Sequence, residues 1–228
     1  MYTDGTYLKN NPNWHSHESP WKAKEVVKAI KRNNLNASSI CEVGCGSGEI
    51  LKIVSEQLKG DITFTGYDIS PQAFEICSKK SKNNLRFYLK DLTEESKAAF
   101  DIVLVLDVVE HIEDFYGFLR KLKTKGRYKI FHIPLAFTVK GVLCMSQIIK
   151  DREMHGHIHC FSKETALASL EYTGYKILDY SYIGKRVDRS NLIWQTNLLK
   201  IPRKLFFSIN QEMAVRILGG YSLSIVAE

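Results

Sequence analysis

The sequence of 228 residues predicts an α/β domain built on a mostly parallel sheet. Three observations carry that prediction. From Ser39 to Ile133, short apolar runs alternate with amphipathic stretches, the order expected of β-α-β units. The run Ile102-Val103-Leu104-Val105-Leu106 is apolar without a break, as a strand covered on both faces must be. Between the first apolar run and the first amphipathic stretch stands Gly44-Cys45-Gly46-Ser47-Gly48, whose alternate glycines permit a tight turn.

Taken in order, the expected strands are Ser39–Val43, Ile62–Tyr67, Arg86–Leu89, Ile102–Leu106, Tyr128–Ile133, Lys176–Ile183 and Tyr221–Val226. Helices fit between them. Lys22–Arg32 is amphipathic and precedes the sheet. Ile50, Leu51, Ile53, Val54 and Leu58 share one helical stripe that Gly60 closes. Ser70 is a cap and Pro71 a first helical residue, and Ser162 caps Lys163–Tyr172 ahead of Gly174. The tail reads as a polar, basic excursion over 184–203, one helical segment near Lys204–Leu218, and the last strand after Gly219-Gly220. Leu135–Arg152 reads as either an amphipathic lid helix or a plain surface helix. The lead with Pro12, Trp14, His15, His17, Pro20 and Trp21 is either a lid over the first crevice or packing for the sheet edge.

Composition narrows the class. With 44% hydrophobic residues, a chain of this length buries about 70–75% of its unfolded surface as one domain. No repeat, low-complexity linker or apolar run of about 20 residues divides it or spans a membrane. The start lacks the basic and apolar regions of a secretory signal. Its five cysteines are scattered without a Cys-x-x-Cys pair, so reduced thiols in a cytoplasmic chain are expected. The net charge of +7 admits an anionic partner. Yet the basic runs Lys22–Arg32, Lys79–Lys82 and Arg120–Lys129 lack the interleaved aromatics that stack bases.

The chemistry centres on Glu42-Val43-Gly44-Cys45-Gly46-Ser47-Gly48. This is not the dinucleotide fingerprint, because Glu49 stands where its third glycine belongs. Glu42 and Glu49 together oppose a pyrophosphate, whereas Glu42 suits a ligand with a positive end, such as an amino group. Asp68 ends the second strand about 20 residues beyond the loop, where a carboxylate accepts both hydroxyls of a ribose. Asp91, at the end of the third strand, is placed to accept from an adenine amine, with Ile69 and Leu92 on either side of the ring. Asp107-Val108-Val109-Glu110-His111 follows the fourth strand.

These stations, in this order and spacing, resemble the class I S-adenosylmethionine-dependent methyltransferases, closely over Ser39–Ile133. The resemblance implies a Rossmann-like fold with a seven-stranded sheet of order 3-2-1-4-5-7-6, its last strand antiparallel. It divides one domain into a lead (1–38), a cofactor half (39–134) and an acceptor half (135–228). It implies S-adenosylmethionine as cofactor, held by Glu42, Gly44, Cys45, Gly46 and Gly48 at the methionine end, Asp68 at the ribose and Asp91 at the adenine amine, with Ile69 and Leu92 on the ring and Leu106 as a further contact. Cys45 has packing as its other role, since direct transfer needs no covalent intermediate.

The expected reaction is in-line methyl transfer to a small molecule, through a hydroxyl oxygen, because the Asn-Pro-Pro-Tyr/Phe motif of base and amide methylation is missing. His111 is the best placed general base among His111, His132, His155, His157 and His159. The acceptor pocket is expected from the lead, Leu135–Arg152 and the 184–203 excursion. Asp107, Glu110, His111 and His159 also resemble the metal site of small-RNA 2′-O-methyltransferases, which makes RNA ribose methylation one alternative. A protein that binds the cofactor without turnover is the other.

Overall fold

The computed structural model describes residues 1–12, 14, 16–184 and 200–228. Its strands are β1 (Ser39–Val43), β2 (Thr63–Asp68), β3 (Leu85–Leu89), β4 (Phe100–Leu106), β5 (Gly126–Pro134), β6 (Ile177–Ile183) and β7 (Ser222–Ala227). They form one seven-stranded sheet of order β3-β2-β1-β4-β5-β7-β6. Every pairing from β3 to β5 is parallel, and β7 runs antiparallel to both β5 and β6. The order and the antiparallel last strand are those the resemblance implies.

The helices are α1 (Thr6–Asn10), α2 (Ser19–Arg32), α3 (Glu49–Gln57), α4 (Pro71–Cys77), α5 (Phe115–Lys123), α6 (Val139–Leu143), α7 (Met145–His155), α8 (Lys163–Tyr172), α9 (Lys200–Ile209) and α10 (Gln211–Leu218). α4 and α8 begin at the serines the sequence singles out. Ser70 Oγ accepts from the Ala73 amide, and Ser162 with Thr165 forms a reciprocal capping box. α2 starts earlier than expected, at Ser19, because Pro20 fits a first turn whose amides have no helical partner. The single helix expected over Lys204–Leu218 is two. Asn210 is extended there and accepts from the Met213 amide, so it caps a new helix and breaks the old one.

β4 explains why the sheet needs a wholly apolar strand. Ile102, Leu104 and Leu106 face a core shared with α2 and α3, which contribute Val26, Ile30, Leu51 and Val54. Val103 and Val105 face the opposite core, with Leu119 and Leu122 of α5, Leu170 of α8 and Val215 of α10. The strand alternates between two buried layers, so neither face tolerates a polar residue. The chain reverses its winding between β1 and β4, and in such sheets ligands bind beyond the carboxyl ends of the strands at that point. No helix among the described residues is long and apolar enough to cross a membrane.

Candidate active site

A cavity of about 920 Å³ opens over that switch point. Its floor is the β1–α3 loop. Gly44 has φ +65°, and a Cβ there would lie 2.8 Å from Val108 Cγ2, so the loop passes too close to the β4 end for any side chain. The loop's own amides are largely engaged. Cys45 N–H donates to Tyr67 O at 3.0 Å, and Gly46 N–H donates to Asp68 Oδ2 at 2.7 Å. Asp68 Oδ1 accepts from Ser70 N at 2.8 Å. This carboxylate therefore fastens the glycine loop to the β2 end, while each oxygen retains a lone pair for a ligand hydroxyl. Burial raises its pKa, against the pull of those amides.

Glu42 lines the same cavity and is almost fully buried. Its Oε2 has no hydrogen-bond partner among the described residues. Burial pushes the carboxyl up to about 8, although nearby Lys22 draws it down. A carboxylate oxygen left bare in a cavity wall is a site built for a donor that the chain itself does not supply.

Lys22 reaches into the cavity from α2 and pairs with Asp107 at the β4 end and, at 3.3 Å, with Glu18. His132 Nδ1 meets the other Asp107 oxygen at 2.6 Å. Asp107 takes a left-handed backbone, φ +53°, at the point where β4 ends. Burial works against the lysine's charge, but Asp107 and Glu18 outweigh it and the ammonium is held above its ordinary range. This buried group clamps the N-terminal lead to the centre of the sheet. The lead does cover the cavity, through Tyr2, Tyr7, Trp14, His17, Glu18 and Ser19.

His111 also lines the cavity. Its Nδ1 lies 3.0 Å from Gly156 O and 2.8 Å from the Tyr2 hydroxyl, which itself donates to His155 O at 3.0 Å. The network is satisfied when Nδ1 carries the proton, which assigns a lone pair to Nε2. Burial lowers the pKa of His111, favouring that neutral form. Donor atoms of Glu110, His111 and His157 all lie within 4.8 Å of one another.

The structure differs from three expectations. The ligand set Asp107, Glu110, His111 and His159 is not assembled as one cluster. Asp107 turns to Lys22 and His132, and His159 Nε2 lies 2.9 Å from Ile112 O, so His157 takes the place beside Glu110 and His111. Asp91 and Leu92 do not line the cavity. Asp91 Oδ1 accepts from Thr93 N at 2.8 Å to cap a single 3-10 turn, which drives Leu92 into the core. Gly48 is likewise a packing glycine, since a Cβ there would lie 2.7 Å from the Phe87 ring and 2.8 Å from Cys77 Cβ. Ile69 and Leu106 do face the cavity, as does Cys45.

On the acceptor side, Leu135–Arg152 supplies Thr138, Lys140, Cys144 and Ile148 to the wall, as two helices where one was expected. Gly219 and Gly220, which the sequence marks only as a separator, line it too, as does Tyr221, expected to open the last strand. Most of the 184–203 excursion, residues 185–199, lies outside the described residues. Lys22, Tyr2 and the Gly156 carbonyl carry no local signal. Each gains its place from a segment distant in the chain.

Residues 41–125 match the family described as "Methyltransferase domain". With the sheet order and the loop geometry above, this match supports the reading of the chain as similar to the class I S-adenosylmethionine-dependent methyltransferases, a family whose cofactor is S-adenosylmethionine. Among curated relatives, it is 27% identical over 129 residues to pavine N-methyltransferase of Thalictrum flavum subsp. glaucum, covering 53% of this chain and 36% of that protein. It is 31% identical over 109 residues to the mitochondrial ubiquinone biosynthesis O-methyltransferase of Schizosaccharomyces pombe, covering 42% and 38%. The matches thus span little more than a third of either relative. The fold is similar to that of magnesium protoporphyrin IX methyltransferase from Synechocystis PCC 6803 with bound SAH, at TM-score 0.60 and 17% identity over 93% of this chain and 82% of the other.

Proposed function

We propose that this protein transfers a methyl group from S-adenosylmethionine to a hydroxyl oxygen of a small molecule. The observation that carries the reading is Glu42 Oε2, bare and buried in the cavity wall beside the glycine loop. The amino group of the cofactor's methionine end complements it, and Asp68 offers its remaining lone pairs to the ribose hydroxyls. Asp91 and Leu92, away from the wall, leave Ile69 and Leu106 as the adenine contacts of this reading.

The cofactor supplies a methyl group on a sulfonium, already activated for displacement. What remains for the chain is to exclude water, align the acceptor and remove one proton. Tyr7, Trp14 and Lys22 close the cavity from the lead side. His111 Nε2 accepts the acceptor's hydroxyl proton as the oxygen–carbon bond forms, and the Nδ1–H bond to Gly156 O steadies the charged ring. A fixed, neutral base serves a weakly acidic hydroxyl, which favours oxygen over an amine that is already nucleophilic. The curated relatives are named as both O- and N-methyltransferases, so the acceptor atom rests on this argument.

The test is calorimetric titration with S-adenosylmethionine, followed by assay of S-adenosylhomocysteine release with a panel of hydroxylated acceptors under reducing conditions. His111→Gln is expected to lower kcat by about 10²-fold or more while cofactor affinity stays within twofold. An equal loss of cofactor affinity would assign His111 to binding. Cofactor binding with no turnover on any acceptor would favour a non-catalytic binding protein.

The Glu110–His111–His157 cluster favours a second reading, methylation of an RNA ribose. One carboxylate and two imidazoles suit a borderline divalent ion that would position the acceptor hydroxyls. Stoichiometric metal in the purified protein, lost in His157→Ala together with RNA methylation, distinguishes it from the first reading.

A further inference from the structure

Among the described residues, the helices on the acceptor side leave an apolar surface uncovered. α6 and α7 contain no buried residue at all, whereas α3 and α5 each bury two. Leu143 is 80% exposed, and Val139, Val142, Met145 and Ile149 are each about half-exposed. α9 repeats the pattern. Ile201, Leu205 and Ile209 recur every four residues on one stripe and are 76%, 61% and 74% exposed. Phe207 instead packs its ring flat against Tyr221. The two apolar ridges border one place. Arg203 of α9 donates to the carbonyls of Leu218 and Gly219, and a Cβ at Gly219 would lie 2.9 Å from Thr138 Oγ1, the cap of α6. Thr138 and Gly219 both line the cavity.

We propose that this face docks on an anionic lipid bilayer. The side chains project rather than line a groove, since a wall on either side would leave Leu143 far less than four-fifths exposed. Basic residues stand among them. Lys150 and Arg152 on α7 and Lys204 on α9 are exposed, in a chain of net charge +7. The acids on these elements are the two of α7, Asp151, which accepts from Gln147, and exposed Glu153; α6 and α9 carry none. Apolar side chains flanked by Lys and Arg bury into the headgroup boundary, and the basic groups are drawn to the negative surface. An apolar contact between protein surfaces has no need of that charge.

The experiment is flotation of the purified chain with vesicles of phosphatidylcholine alone and of phosphatidylcholine mixed with phosphatidylglycerol. Binding to the mixed vesicles, weakened by salt, is the expected result. Leu143→Glu with Ile149→Glu should abolish it. Lys150→Glu with Arg152→Glu should weaken it by about 25-fold or more, at about fivefold per basic group. None of these four residues lines the cavity, so cofactor titration and thermal melting should match the parent and show that fold and site are intact. Vesicle binding needs no cofactor, so its failure and the failure of the methyl-transfer reading are separate results. No flotation with either vesicle would overturn the proposal, as would undiminished flotation of the Leu143→Glu/Ile149→Glu variant. A concentration-dependent dimer that the same variant dissociates, without vesicle binding, would overturn it in favour of a second copy of the chain.

Discussion

S-adenosylmethionine is expected to bind about tenfold more tightly for each unit that pH rises between about 5.5 and 7.5, with release of about one proton per cofactor bound. The cause is Glu42. Burial holds its carboxyl neutral up to about 8 in the free protein, and Asp68 adds to that effect while Lys22 opposes it. An ammonium group brought against Oε2 favours the ionised form, so binding must expel the proton. The measurement is calorimetry in buffers of different ionisation enthalpy. Glu42→Gln should flatten the pH slope and weaken binding at pH 7.5. Absence of proton release would break the link between Glu42 and the cofactor's amino group. The same group makes a stability statement. The folded protein keeps a proton that the unfolded chain loses above the ordinary glutamate range. Stability of the cofactor-free protein therefore falls as pH rises from that range to about 8, and Glu42→Gln should remove the decline.

The largest stability effect should come from Lys22→Met, about 3 kcal/mol or more in urea unfolding at neutral pH. Lys22 is buried between Glu18 and Asp107, and the substitution leaves two carboxylates facing each other without their cation. Removing one member of a buried ion cluster is far more damaging than replacing the whole by apolar groups. A second change at the other end tests the mechanism. Asp107→Asn in the Lys22→Met background should recover part of the loss, whereas independent sites would add. A fall below about 1 kcal/mol for Lys22→Met would mean that the cluster relaxes into solvent and does not anchor the lead.

Much of the fold was legible because its rules are local. Strand β4 announces itself by an unbroken apolar run. Ser70-Pro71 and Ser162 start helices through hydrogen bonds to amides three residues on. Asn210 follows the same rule and starts a new helix, although the amphipathic stripe that runs past it reads as a single one. In the site, Glu42, the glycine loop and Asp68 were readable because β1 and β2 are parallel neighbours, which fixes both at one end of the sheet.

Periodicity, caps and glycine spacing set the order of elements and the sheet class, and they put Glu42, the glycine loop and Asp68 at one end of the sheet. Tertiary structure alone decided which remote side chains meet. Lys22 and Asp107 are 85 positions apart, and Tyr2 and His111 are 109 apart. Between His157 and His159, in a stretch without regular structure, no periodicity says which one faces Glu110. The stretch docks on the 3-10 turn that holds Glu110, with Ile158 and His159 donating to Glu110 O at 2.9 and 3.1 Å, and that docking turns His157 to the cluster and His159 to Ile112. Asp91 likewise makes a local bond that no periodicity announces, its Oδ1 accepting from the Thr93 amide two residues on. Long-range packing sets the other choices because each depends on how layers of the sheet and its helices close on one another.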